Sequence, residues 1–94
     1  MIVRWSAGAL ADLTSIENYQ RLHWPHSRAA FERRLTAIER RIAEFPLSAP
    51  DVTGRPGVRV AAFLDFPYRL FYSVESEAIN VLAIRHTSRH SRFE

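Results

Sequence analysis

The chain is 94 residues long, which allows one modest hydrophobic core, and a single domain spanning residues 1–94 is expected. Apolar residues make up 47% of it, which excludes a disordered chain, yet no run approaches the roughly 18 apolar residues of a membrane helix. The formal charge of +3 comes from 13 basic residues, all of them arginine, set against 10 acidic ones; cysteine is absent.

Arginine offers a planar fork that pairs with carboxylate or phosphate and stacks on rings. The positive charge is densest at the C-terminal end, where Arg85, Arg89 and Arg92 face only Glu94 and His86 and His90 add charge below neutral pH. An acidic partner, nucleic acid or protein, is therefore expected. The lack of cysteines and of a signal-peptide pattern points to the cytoplasm and away from a membrane.

In chain order, Ile2 to Trp5 is β-prone, and Ser6 suits a helix N-cap. Leu10, Leu13, Ile16 and Tyr19 then recur at three-residue spacing and predict a helix, which Pro25 stops. A second helix starts at His26 or Ser27. Its seam, Phe31, Leu35, Ile38, Ile42 and Phe45, alternates steps of four and three until Pro46 ends it. Because few residues join the two helices, they should form an antiparallel hairpin lying against one sheet.

Residues 46–57 hold three prolines and two glycines and read as a loop. Val58 to Leu64 is a strand, and Asp65-Phe66-Pro67 a turn. In the next strand, Tyr68, Leu70, Tyr72 and Val74 alternate with Arg69, Phe71 and Ser73, which gives it one wetter face. After the turn Glu75-Ser76-Glu77, Ile79 to Ile84 is apolar on nearly both faces, as a central strand should be. The order is β-α-α-β-β-β, an α+β domain with a helical hairpin packed on one face of a small, mainly antiparallel sheet.

Arg59, Arg69, Arg85, His86, Arg89 and His90 fall on or just past these last strands, so adjacent strands can gather them on one surface. Arginine there would stabilise phosphate charge, and histidine would act as acid or base; the competing reading is a solvated sheet edge protected by charge. His23 with His26, and His86 with His90, have spacings seen in metal sites, but no cysteine or acidic residue accompanies either pair. Neither metal nor cofactor is expected. Ser6, Thr87 and Ser88 lie in no nucleophile motif. Trp5, Trp24, Phe63 and Phe66 are either core residues or the lining of a groove between helix ends and sheet edge, suited to a partner.

The opening strand Ile2-Val3-Arg4-Trp5-Ser6 is followed by Ala9-x-x-Asp12-Leu13-x-x-Ile16-x-x-Tyr19 and by a helix ending Ile42-x-x-Phe45-Pro46. Then come Tyr68-Arg69-Leu70-Phe71-Tyr72-x-Val74 and Ile79-x-Val81-Leu82-x-Ile84-x-His86-x-x-Arg89. In order and spacing, across nearly the whole chain, these resemble the RelE/ParE superfamily, the small toxins of type II toxin–antitoxin pairs. The resemblance implies either ribosome-dependent mRNA cleavage, as in RelE-like members, or poisoning of DNA gyrase, as in ParE-like ones.

For the nuclease, Arg69 matches a position that supports the scissile phosphate, and Arg59 matches one of two strand lysines. Ala61 stands at the other. The family's C-terminal tyrosine falls near Phe93 and an expected arginine near Thr87, flanked by Arg85 and Arg89, while some relatives use a histidine near His86. The His86-x-x-Arg89 ending and the long first helix are more similar to the ParE-like branch, which is preferred. A degenerate toxin acting only as a binding module is a third possibility. The resemblance also implies an acidic, partly disordered antitoxin in a hetero-oligomer with the toxin. The candidate partner contacts are Trp5, Leu13, Tyr19, Trp24, Arg69, His86, Arg89 and Arg92; the nuclease candidates are Arg59, Arg69, Arg85, His86 and Arg89.

Overall fold

The computed structural model describes residues 1–88. The elements run β1 (Ile2–Trp5), α1 (Ala7–His23), a 3-10 turn (Pro25–Ser27), α2 (Arg28–Glu44), β2 (Val58–Ala62), β3 (Tyr68–Glu75) and β4 (Ala78–His86). The four strands form one sheet in the order β1-β4-β3-β2, with β1 parallel to β4 and the other pairs antiparallel. This is the α+β arrangement expected from the sequence. Among the described residues no helix is long and apolar enough to cross a membrane.

Ser6 ends β1 and starts α1: its hydroxyl accepts from the Ala9 amide at 3.0 Å, satisfying a donor that the first turn leaves unpaired. The buried side of α1 differs from the predicted stripe. Ile16 is buried and Leu13 packs at the core's margin, but Leu10 is 51% and Tyr19 46% exposed. Each three-residue step falls about 60° short of a full turn, so Leu10 and Tyr19 end on opposite sides of the helix. The face that docks runs through Ala9, Leu13, Ile16 and the buried Gln20.

Pro25 forces the separate 3-10 turn, so α2 begins at Arg28, past the predicted start. Its seam holds as expected through Phe31, Leu35, Ile38 and Ile42. Phe45, just beyond the helix, is 56% exposed. Phe31 stacks on Phe63 at 5.1 Å and meets Phe66 and Tyr68 edge-on.

Tyr68, Leu70 and Tyr72 of β3 join Ile79, Val81 and Ile84 of β4 in the core under the helices. Phe71 and Ala83 belong instead to a second cluster with Val52, Val58 and Val60. The expected wetter face of β3 holds at the partly exposed Arg69 and Ser73 but not at Phe71, which is wholly buried because the loop at 46–57 brings Val52 over it. That loop follows the outer edge of β2. The Val52 amide donates to Val58 O at 2.8 Å and the Val60 amide to Pro50 O at 3.0 Å, and left-handed Gly54 and Gly57 (φ 79° and 82°) turn the chain between them.

One irregularity in β4 sets up the rest. Phe71 lies opposite Ala83, yet the next residue, Tyr72, lies opposite Val81, so Leu82 is an extra residue in a β-bulge. The bulge shifts the alternation. Ile79 and Val81 face the helices, Ala83 faces away, and Ile84 faces the helices again.

Candidate functional site

A cleft of about 520 Å³ opens where the second half of α1 meets the end of β4 and the start of β3. Its walls are Ile16, Tyr19, Trp24, Tyr68 and Ile84; Asp12, Ser15, Arg85, His86 and Ser88 supply its polar groups. Volume and lining are those of a ligand or anchor pocket. Of the four aromatics expected to be core or groove lining, Trp24 lines this cleft, whereas Phe63 is in the core and Trp5 and Phe66 pack against it.

Each part follows from local structure. At the end of α1 the Tyr19 ring packs on His23 at 4.4 Å and edge-on against Trp24 at 5.2 Å. Because Pro25 ends the helical path there, Trp24 stays beside Tyr19, each with about half its surface open: 48% and 46% exposed. Half-open rings of this kind give rigid contact area at low entropic cost.

Opposite them, β3 places Tyr68 across from His86, and the two rings meet edge-on at 5.5 Å. The amide of Thr87 donates to Pro67 O at 2.8 Å, which ties the end of β4 to the preceding turn. His86 Nδ1 accepts from the Ser88 amide at 3.1 Å and lies 2.7 Å from Ser88 Oγ. With Nδ1 accepting an N–H, the neutral ring carries its proton on Nε2. Arg85 extends to α1, where its Nη1 donates to Asp12 Oδ2 at 2.5 Å. Aromatic walls beside an arginine and a histidine suit an apolar or aromatic group flanked by an anion.

The predicted residues separate into groups. Tyr19, Trp24, Arg85 and His86 meet in the cleft. Leu13 instead packs on the core from α1. Trp5 is half-buried against the core and outside the cleft lining, its Nε1 donating to Glu39 of α2 at 3.2 Å. Arg69 stands across from Arg85 in the strand register. Arg89 and Arg92, with His90 and Phe93, lie outside the described residues.

Arg59 does not join the others. Strand pairing sets it across from Tyr72, whereas Arg85 and His86 stand across from Arg69 and Tyr68. Its guanidinium donates to Leu47 O at 3.2 Å and Ala49 O at 2.6 Å and lies 3.5 Å from the Asp51 carboxylate. Beside it the Tyr72 hydroxyl donates to Pro46 O at 2.8 Å; burial raises that phenol's pKa, against the lowering pull of the Ala49 backbone and of Arg59. This group holds the 46–57 loop. Ala61, at the second strand-lysine position, is partly buried against the core.

Sequence reasoning gave no role to Asp12, Ser15, Tyr68 or Ser88 as lining residues. Asp12 had a visible signal, a carboxylate inside the apolar pattern of α1 next to Leu13. Tyr68 looked like core, and it is 6% exposed.

No curated protein matches the chain. Among solved structures the chain is similar to one described as "Chromosomal ParDE TA system from P. aeruginosa", with a TM-score of 0.74 and 23% identity over 92% of this chain and 95% of that one. At that identity the likeness is one of fold. The family model described as "ParE toxin of type II toxin-antitoxin system, parDE" matches residues 3–90, and with nearly the whole sequence covered the chain belongs to the ParE family of type II toxins.

Proposed function

We propose that this protein inhibits DNA gyrase in the cytoplasm and is held silent by a cognate acidic antitoxin in a hetero-oligomer. The observation that carries this reading over mRNA cleavage is the engagement of Arg59. The residue that a nuclease would turn to phosphate is bonded instead to the carbonyls of Leu47 and Ala49, and the neighbouring lysine position is the partly buried Ala61. Losing one proton-transfer or charge-stabilising group costs roughly 10²–10⁴ in rate, so a set missing two retains little cleavage.

The antitoxin reading rests on charge and shape. A chain of net charge +3 favours an acidic segment, and the half-open Tyr19 and Trp24 rings suit an anchor side chain. Such a segment would order on binding. No cofactor or metal is required.

The test is a supercoiling assay with purified toxin and gyrase, with and without the protein encoded by the adjoining gene. Loss of supercoiling, restored by that neighbour, is the expected result. Unchanged supercoiling at high molar excess overturns the gyrase reading. Attention would then turn to mRNA cuts on ribosomes, with His86→Ala as the first variant, since His86 lines the cleft with Arg85, across from Arg69 in the strand register.

A further inference from the structure

β1 accompanies β4 only as far as the pair Trp5–Val81. Beyond that point no strand among the described residues lies beside the same edge of β4, and α1 supplies partners in its place. The Ser6 amide donates to Val81 O at 3.0 Å and the Ser6 hydroxyl to Leu82 O at 3.2 Å. In the second turn of the helix, Asp12 Oδ2 accepts from the Ile84 amide at 3.0 Å. A helix thus satisfies, through its cap residue and one carboxylate, the groups that a further strand would have paired.

The same oxygen also receives Arg85 Nη1, which lies 3.3 Å from Ile84 O as well. A single carboxylate oxygen therefore binds the backbone of one residue and the guanidinium of the next. Both partners of the ion pair are partly shielded, with side chains 29% and 23% exposed. A pair of this kind contributes little net stability, because its desolvation offsets its attraction; what it supplies is a defined place for the charge. That place is the mouth of the cleft, next to His86.

We propose that Asp12 is a positioning residue: by holding Arg85 at the cleft it sets the cation with which the toxin engages its target. This rests on the toxin reading above, in which Arg85 and His86 lie at the working surface. Asp12→Asn keeps an acceptor for the Ile84 amide and removes the charge that holds Arg85. Asp12→Glu keeps the charge. Arg85→Ala removes the cation and leaves Asp12 on the strand edge.

Two readouts separate position from action. By NMR of arginine-labelled protein, the wild type and Asp12→Glu should show restrained, slowly exchanging Arg85 guanidinium signals, and Asp12→Asn should lose them. In gyrase inhibition Asp12→Asn and Arg85→Ala should each need at least tenfold more protein, Asp12→Glu should recover most of the loss, and the double variant Asp12→Asn/Arg85→Ala should be no weaker than Arg85→Ala alone. A merely structural role predicts additive losses that follow thermal stability. Additivity, or full potency of either folded single variant, overturns the proposal, as does an Arg85 that stays restrained in Asp12→Asn. If the wild type itself leaves gyrase untouched, only the gyrase reading fails. The same ordering of variants is then read from growth arrest on expression, and a different ordering overturns the positioning role. Should Asp12→Asn not fold, Arg85→Ala carries the test, and a folded Arg85→Ala of full potency overturns it.

Discussion

Arg59 shows how a residue type can be read correctly and its task missed. A cation on a strand of an arginine-rich chain suggests phosphate, and nothing in the sequence says that two loop carbonyls and Asp51 will occupy it. Pairing is set by where residues 46–57 travel, which no local pattern encodes. Arg59→Ala should therefore behave as a stability mutation. It removes charge-assisted hydrogen bonds and should cost about 2 kcal/mol, seen as a lower urea midpoint, while toxicity per folded molecule is retained. Loss of toxicity at unchanged stability would put Arg59 back among the functional cations. Asp12 is the converse case: a carboxylate in an apolar pattern, legible as unusual, but explained only once α1 is seen to run along the unpaired edge of β4.

Among the elements, those with strong periodicity were the most legible. The α2 seam was readable because its alternation of four and three tracks the helix, and Phe31, Leu35, Ile38 and Ile42 are all buried. The α1 stripe was misread because apolar spacing of three drifts around the helix. Its docking face includes Ala9 and Gln20, which hydrophobicity alone does not mark. Helix capping was legible from chemistry. Ser6 both caps α1 and ties it to Leu82, so Ser6→Ala should lower stability by about 1 kcal/mol or somewhat more, measured as a drop in Tm. Ser6→Asp, another good cap that cannot donate to Leu82 O, should recover only part of this. Full recovery would show that the tie to β4 contributes nothing. The bulge at Leu82 was not legible, since INVLAI reads equally well as unbroken alternation.

For the molecule as a whole, one buried titrating group gives stability a predictable pH dependence. Burial raises the folded-state pKa of Tyr72 above the ordinary value of 10.0. Below that value both folded and unfolded chains keep the proton, and the contribution is complete. As pH climbs past 10 the unfolded chain ionises first, and this contribution is lost until the folded phenol ionises too. Tm should fall as pH rises past 10, and the fall should be shallower in Tyr72→Phe; an equal fall in both would assign the alkaline loss to other groups. The cleft depends on the molecule's assembly in another way. The single inserted residue at Leu82 acts on β4 as a frameshift acts on a message, leaving the letters unchanged and altering how all that follow are read. Upstream of it, Ile79 and Val81 speak to the helices; downstream, Ile84 and His86 do. One strand thereby carries core side chains under the helices at Ile79 and Val81 and delivers Ile84 and His86 to that same side, where α1 and the cleft await them. A strand in strict alternation would have turned His86 to the far side of the sheet, away from Tyr19 and Trp24.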